Sequence, residues 1–264
     1  MNKRKIREYT SFDYDFEHLD GENIKIDKSY KYERRDVWSR ALSFVLYRLI
    51  APSAAFLCLN VIKRERYVGK KKLRGSKGGF LFGNHVSRVA DAVTPSLVSF
   101  PRRTSIVVHP DNLAMPVLGG LLPYLGAMPL PGDFASVRAF SDSIAERIGR
   151  GEFVALYPEA HVWHGYTGIR PFADGSFGLP VRLNAECFAL TRVFKRTLLG
   201  YRSVVYIDGP FRPDPSLGRR ESSLQLKEQI RSVMQERAKL SDIEPIKYVR
   251  VNESSQPASK EEKN

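Results

Sequence analysis

Two polar loops hold the residues whose types and spacing could do chemistry. In the first, the run Phe80-Leu81-Phe82-Gly83 delivers Asn84 and His85, and Asp91 stands six positions past the histidine. A neutral imidazole can take a proton from an attacking hydroxyl near pH 7, and a nearby carboxylate fixes its tautomer and stabilises the imidazolium that forms. On one continuous helix, residues six apart point about 120° away from each other. The pair can therefore meet only if His85 lies in a loop after a strand and Asp91 in the first turn of the next helix, with Gly83 at the bend. Each residue alone has a plainer reading, Asp91 as the N-cap of Ala92-Val93-Thr94 and His85 as a strand-end histidine satisfied by backbone. The second loop, Tyr157-Pro158-Glu159-Ala160-His161-Val162-Trp163-His164, follows another apolar run, Phe153-Val154-Ala155-Leu156. Two such units put functional groups at strand C-terminal ends, where open α/β sheets build their sites.

The elements that must position these loops can be read along the chain. A Lys- and Gly-rich linker, Gly69 to Gly79, leads into a strand at Phe80 to Phe82 and a helix from about Asp91 to Ser99. Ser105 to Val108 reads as a strand, Met115 to Tyr124 as a short apolar helix and Gly126 to Leu130 as a short strand. Val137, Phe140, Ile144 and Ile148 recur near the helical period within Ala135 to Arg150, which stops at Gly151. Strands follow at Phe153 to Leu156, Cys187 to Phe194 and Ser203 to Ile207, then an amphipathic helix from Ser222 to Lys239. This alternation predicts an α/β fold, a largely parallel central sheet with helices on both faces. An N-terminal apolar helical hairpin is expected to precede it. The expected organisation is an irregular arm over 1–36, a membrane-interfacial hairpin over 37–68, the main domain over 69–250 and a disordered tail over 251–264.

At 264 residues the chain can bury a sizeable single core. Cys58 and Cys187 are its only cysteines and form no C-x-x-C spacing, which argues against a disulfide framework or zinc ribbon and fits a reducing, cytoplasmic compartment. A net charge of +13 and a pI near 9.8 invite a polyanionic partner, nucleic acid or an anionic membrane. Position favours the membrane, because a basic cluster running from Lys63 to Lys77 directly follows the long apolar stretch from Leu42 to Ile62. A nucleic-acid binder would not ordinarily carry that apolar neighbour. Arg40 and Arg48 interrupt the front of the stretch and Pro52 its middle, leaving a run from Leu49 to Ile62 that is short of the roughly 20 residues a span requires. The expectation is a hairpin bent near Pro52, lying in the interface with Trp38 and Tyr47 at headgroup depth. A pair of core helices covering the sheet is the alternative.

Three motifs in order carry a family resemblance: Asn84-His85 with the following Asp91, Gly126-Ala127-Met128-Pro129-Leu130, and Tyr157-Pro158-Glu159. Over roughly residues 75 to 210 the chain resembles the glycerolipid acyltransferases, specifically the 1-acylglycerol-3-phosphate acyltransferases. It is most similar to a divergent bacterial branch with five residues, rather than four, between His and Asp. Other departures are Glu159-Ala160-His161-Val162 where the family has Glu-Gly-Thr-Arg, and Pro131-Gly132-Asp133 where an arginine often follows the glycine-led strand.

The resemblance implies that His85 deprotonates a hydroxyl of a lysophosphatidic acid-like acceptor, which attacks an acyl thioester, while Asp91 holds the imidazole. The implied donor is acyl-coenzyme A or acyl carrier protein, with no cofactor. Glu159 would organise the acceptor site, and Arg170, helped by His161 or Arg88, would grip the acceptor phosphate through its guanidinium fork. The implied partners are an anionic membrane surface, the thioester donor and a lysophospholipid, with no nucleic acid, at the cytoplasmic face of the cell membrane. Another lysophospholipid or glycerol-3-phosphate stays open as acceptor, as does a basic binding protein without catalysis. Absence of a Gly-x-Ser-x-Gly elbow, and of a cysteine beside a histidine, fits direct transfer without a covalent intermediate. Glu159, His161 and His164 do not match a recognised zinc spacing, so no metal is expected. Trp163, Tyr166 and Phe172 read as wall or lid residues, or as core aromatics.

Overall fold

The computed structural model describes residues 5–17, 24–198 and 200–252. The expected disordered tail falls almost wholly outside them. Strands β1 (Lys5–Tyr9), β2 (Arg66–Val68), β3 (Gly79–Gly83), β4 (Thr104–Val108), β5 (Ala127–Pro129), β6 (Phe153–Leu156), β7 (Cys187–Thr197), β8 (Gly200–Phe211) and β9 (Ile246–Arg250) alternate with helices. The helices are α1 (Val37–Ile62), α2 (Arg88–Ser99), α3 (Leu118–Leu121), α4 (Phe134–Gly149), α5 (Gly178–Arg182) and α6 (Arg219–Ala238).

The main sheet has seven strands in the order β2-β8-β7-β3-β6-β4-β5. Strands β7, β3, β6, β4 and β5 run parallel, and the long antiparallel β7–β8 pairing carries β2 at that edge. In β3 all five residues are buried. Phe80 and Phe82 pack on one face with Ile144 of α4 and Leu226, Ile230 and Met234 of α6, while Leu81 packs on the other with Val98 of α2. Burial on both faces explains why its sequence is a continuous apolar run rather than an alternation.

Two expectations about the N-terminal region are corrected. The arm is not wholly irregular, because β1 pairs in parallel with β9 as a separate two-stranded sheet, Lys5 opposite Ile246 through Tyr9 opposite Arg250. The arm's Tyr9, Phe12 and Phe16 then close around Trp163, their ring centroids 4.7, 5.9 and 5.2 Å from its own. The apolar stretch is one helix of 26 residues rather than a hairpin. Pro52 does not break it, and wide turns occur along it: Ala51 N–H donates to the Leu46 carbonyl and Lys63 N–H to the Cys58 carbonyl, each five residues back. Only a stripe of Tyr47, Ala55 and Leu59 is buried, against Ala90 and Leu97 of α2 and through Tyr47 Oη bonds to Ser96 and Thr104. Most of its other large apolar side chains, among them Trp38, Phe44, Leu49, Phe56 and Ile62, are exposed. By length and composition α1 could cross a membrane.

The expected helix over Met115 to Tyr124 forms only at Leu118–Leu121. Strand β2, too short to read from its pattern, moves the start of the main domain back from the expected residue 69 to residue 66.

Candidate active site

Strand β3 ends at Gly83, and the turn Asn84 to Ser87 leads into α2, whose first turn contains Asp91. Gly83 is fixed by close approach: a Cβ there would lie 2.4 Å from the Tyr157 ring. Asn84 ties the turn to β7 in both directions, donating to the Arg192 carbonyl at 3.0 Å and accepting from the Arg192 N–H at 2.8 Å. Asp91 then gathers the turn onto itself. Its Oδ2 accepts from Val86 N–H at 2.9 Å and Ser87 N–H at 2.8 Å, and lies 2.9 Å from His85 Nδ1. The plainer reading of Asp91 as N-cap fails because Ser87 holds that position, yet Asp91 satisfies N–H groups at the helix start from one turn inside.

With Nδ1 engaged by the carboxylate, Nε2 is the ring nitrogen left to exchange a proton. The His85 side chain is 19% exposed while Asp91 is buried, so the acid is shielded and the base can be reached. Behind the ring, Tyr157 stacks on His85 with centroids 4.5 Å apart and donates through its hydroxyl to the Asp91 carbonyl at 2.5 Å. Burial pushes the Tyr157 phenol well above its ordinary pKa and so keeps it a protonated donor.

Glu159 is buried and serves the backbone. Its Oε2 accepts from His85 N–H at 3.1 Å and its Oε1 from Arg170 N–H at 3.0 Å, so one carboxylate joins the two loops. The second loop is tied again by Trp163 N–H to the His85 carbonyl at 2.9 Å and Gly165 N–H to the Val86 carbonyl at 3.0 Å.

The other expected site residues divide into buried and exposed sets. Arg170 is corrected: its side chain is 1% exposed, pairs with Glu159 Oε2 at 3.0 Å, donates to the His161 carbonyl and lies 4.9 Å over the Trp163 ring, so its fork is turned inward rather than offered to a ligand. Arg88 and His161 are partly exposed and face the arm, Arg88 lying 3.9 Å from Glu17 and His161 3.4 Å from Asp15. His164 lies 3.2 Å from Glu17. Glu159 is thus engaged with His85 and Arg170 while the two histidines face Asp15 and Glu17, and among the described residues no three metal-ligating side chains gather into a site. Trp163 and Phe172 are buried core aromatics rather than lid residues, and Trp163 stacks on Tyr248 at 5.0 Å.

Sequence reasoning missed the charged group under the dyad. Arg192 of β7, 4% exposed, reaches Asp91 Oδ1 with Nε at 3.4 Å, Thr94 with Nη2 at 2.8 Å and Glu65 with Nη1. Glu65, buried just after α1, also accepts from Thr94 Oγ1 at 3.0 Å. Burial opposes charge on Arg192, but Glu65 and Asp91 more than offset it and hold the guanidinium above its ordinary pKa. An arginine inside the apolar run Cys187 to Phe194 was the available signal, since a buried charge must be paired.

A largely parallel α/β sheet thus presents a His–Asp pair in the turn after an inner strand, joined by a Glu-bearing loop after the neighbouring strand. Residues 64–191, just under half of the chain, match the Acyltransferase family model, a match that supports the glycerolipid acyltransferase family its motifs resemble. The fold is similar to the crystal structure of the 1-acyl-sn-glycerophosphate (LPA) acyltransferase PlsC from Thermotoga maritima, with a TM-score of 0.51 at 15% identity, over 78% of this chain and 84% of that one. No curated protein matches by sequence.

Proposed function

We propose that the protein moves a fatty acyl group from a thioester donor to a hydroxyl of a lysophosphatidic acid-like acceptor, in phospholipid synthesis. The observation that carries this reading is the His85 Nδ1–Asp91 Oδ2 contact at 2.9 Å, with the ring nitrogen Nε2 left for the acceptor. His85 Nε2 takes the hydroxyl proton as the oxygen attacks the thioester carbonyl. The C–S bond then breaks, and the thiolate of the donor, coenzyme A or acyl carrier protein, leaves with the proton that His85 returns. Asp91 stabilises the imidazolium formed between the two transfers. Glu159 sets the height of His85 through its backbone, a positioning role rather than a contact with acceptor. With Arg170 turned inward, the phosphate role passes to Arg88 and His161 on the exposed side. The bare apolar flank of α1 supports work at a membrane surface, the donor arriving from the aqueous side.

The test is transfer from a radiolabelled acyl donor to lysophosphatidic acid, glycerol-3-phosphate and lysophosphatidylcholine in parallel. His85→Ala is expected to lower the rate about 10²- to 10⁴-fold with an unchanged melting temperature, and Asp91→Asn to leave a measurable remnant. A near wild-type rate in a folded His85→Ala protein would remove the proposal. Preference for glycerol-3-phosphate would keep the chemistry and change the acceptor.

A further inference from the structure

His85, Asp91 and Glu159 all follow the C-terminal ends of β3 and β6. A cavity of about 820 Å³ lies at the opposite end, where Arg103 precedes β4, Glu152 precedes β6 and Ala127 opens β5. Its remaining walls are the first turns of α1, the segment Tyr30 to Arg35 and the last turn of α4.

The charges around this cavity do not balance. Seven arginines but only three glutamates line it. Arg35, Arg147 and Arg150 account for the glutamates: Arg35 pairs with Glu146 at 3.1 Å, Arg147 with Glu33 at 2.8 Å, and Arg150 with Glu33, Glu146 and Glu152. Arg34, Arg40, Arg48 and Arg103 have no carboxylate within ion-pair distance among the described residues. Two of the four meet at Tyr124: Arg34 lies 4.6 Å over its ring, and Arg103 donates to its carbonyl at 3.2 Å and to Ser43 Oγ at 2.9 Å. Arg103 Nε is buried with no hydrogen-bond partner. Burial also depresses the Arg103 pKa, which an incoming anion would reverse.

The rim is apolar. Val37 and Phe44 line the cavity yet stay exposed, and they begin the bare flank of α1. A small free anion would use the arginines but leave that flank in water, whereas an amphiphile would use both. We propose that this cavity is a second lipid site, separate from the reacting centre, which takes the phosphate of an anionic glycerophospholipid among Arg34, Arg40 and Arg103 while its acyl chains run along α1. The unmatched guanidinium groups suit phosphate oxygens, and the exposed helix face suits the chains.

Titration calorimetry with short-chain phosphatidylglycerol, phosphatidylcholine of the same chain length and inorganic phosphate separates the sources. Phosphatidylglycerol is expected to bind at least about tenfold more tightly than either of the others. Arg34→Gln/Arg103→Gln should weaken that binding about 10- to 100-fold, the loss typical of charge-assisted hydrogen bonds. Lys71→Gln/Lys77→Gln, which removes two exposed charges away from the cavity, should change it less than about twofold. If Arg103→Gln lowers the melting temperature, Arg34→Gln alone decides, with at least a threefold loss expected, about 0.6 kcal/mol at room temperature. Unchanged binding in the cavity variants, an equal loss in the lysine control, or inorganic phosphate binding as tightly as the lipid would each overturn the proposal.

Discussion

Two buried arginines stand behind the same turn and do different work. Arg192 faces Asp91, Glu65 and Thr94, and each of its three nitrogens has a partner. Arg170 faces Glu159 and the His161 carbonyl through one nitrogen, while its Nε and Nη1 have no hydrogen-bond partner and the plane of the group rests on Trp163. The first is a saturated charge network behind the reacting pair, and the second is a single ion pair inside a loop. Saturation matters because a charge-assisted bond inside a protein is strong when made and costly when broken. Glu65 also follows directly on α1, its N–H bonded to the Leu59 carbonyl at 2.8 Å. Glu65 and the Asp91 carboxylate are therefore joined through Arg192 alone, whereas the Arg170 pair lies within the second loop.

Breaking the saturated side should have the larger effect. Arg192→Met leaves two buried carboxylates without their cation and is expected to cost about 3–5 kcal/mol in denaturant unfolding. Replacing Glu65 by Leu in the same protein should recover part of that loss by removing one uncompensated charge. A cost below about 1 kcal/mol for the single variant would mean that water enters behind Asp91 and that the two arginines are equivalent.

Next in size is Glu159→Gln, on the Arg170 side. The amide retains one acceptor oxygen and cannot serve both His85 N–H, on Oε2, and Arg170 N–H, on Oε1, as a carboxylate does. The turn carrying His85 should shift, lowering kcat about 10- to 100-fold with little change in KM for either substrate, because small displacements of a catalytic group are expensive. A rise confined to the acceptor KM would return Glu159 to the acceptor-binding role that the family resemblance implies.

Chemistry-bearing residues were legible in the sequence where they sat on strong patterns. His85 and Asp91 lie between an apolar run and a helix start, so the turn could be placed and their convergence anticipated. Strand β6 agrees with its expected limits because Phe153 to Leu156 is apolar throughout and bounded by Gly151 and Pro158. The failures have physical causes. Strand β1 pairs with β9 across more than 230 residues of chain, and no local pattern encodes a partner so distant. Pro52 reads as a break, but the helix continues through it. Arg170 has the side chain for a phosphate and a suitable place in the chain, and only the three-dimensional packing of Glu159 and Trp163 shows that its fork is turned inward. Arg192 lies in a mostly apolar run, Cys187 to Phe194, far in sequence from Glu65 and Asp91, so its partners could not be matched from spacing.

The smallest expected effect separates the two meanings of Arg170. Lysine at that position keeps a cation for Glu159 and gives up the planar contact with Trp163. Because two of the three guanidinium nitrogens make no hydrogen bond, Arg170→Lys removes little that was in use, and a stability loss of about 1 kcal/mol is expected. Acceptor and donor KM values should both stay within about threefold of wild type, since a loop residue acts on the site as a whole. If Arg170 instead swings out to grip the acceptor phosphate during turnover, the same substitution would raise the acceptor KM more than about tenfold and leave the donor KM unchanged, because an ammonium supplies the charge without the bidentate fork. Measuring both constants with lysophosphatidic acid and an acyl thioester therefore decides whether the inward-facing arginine is the one used in turnover.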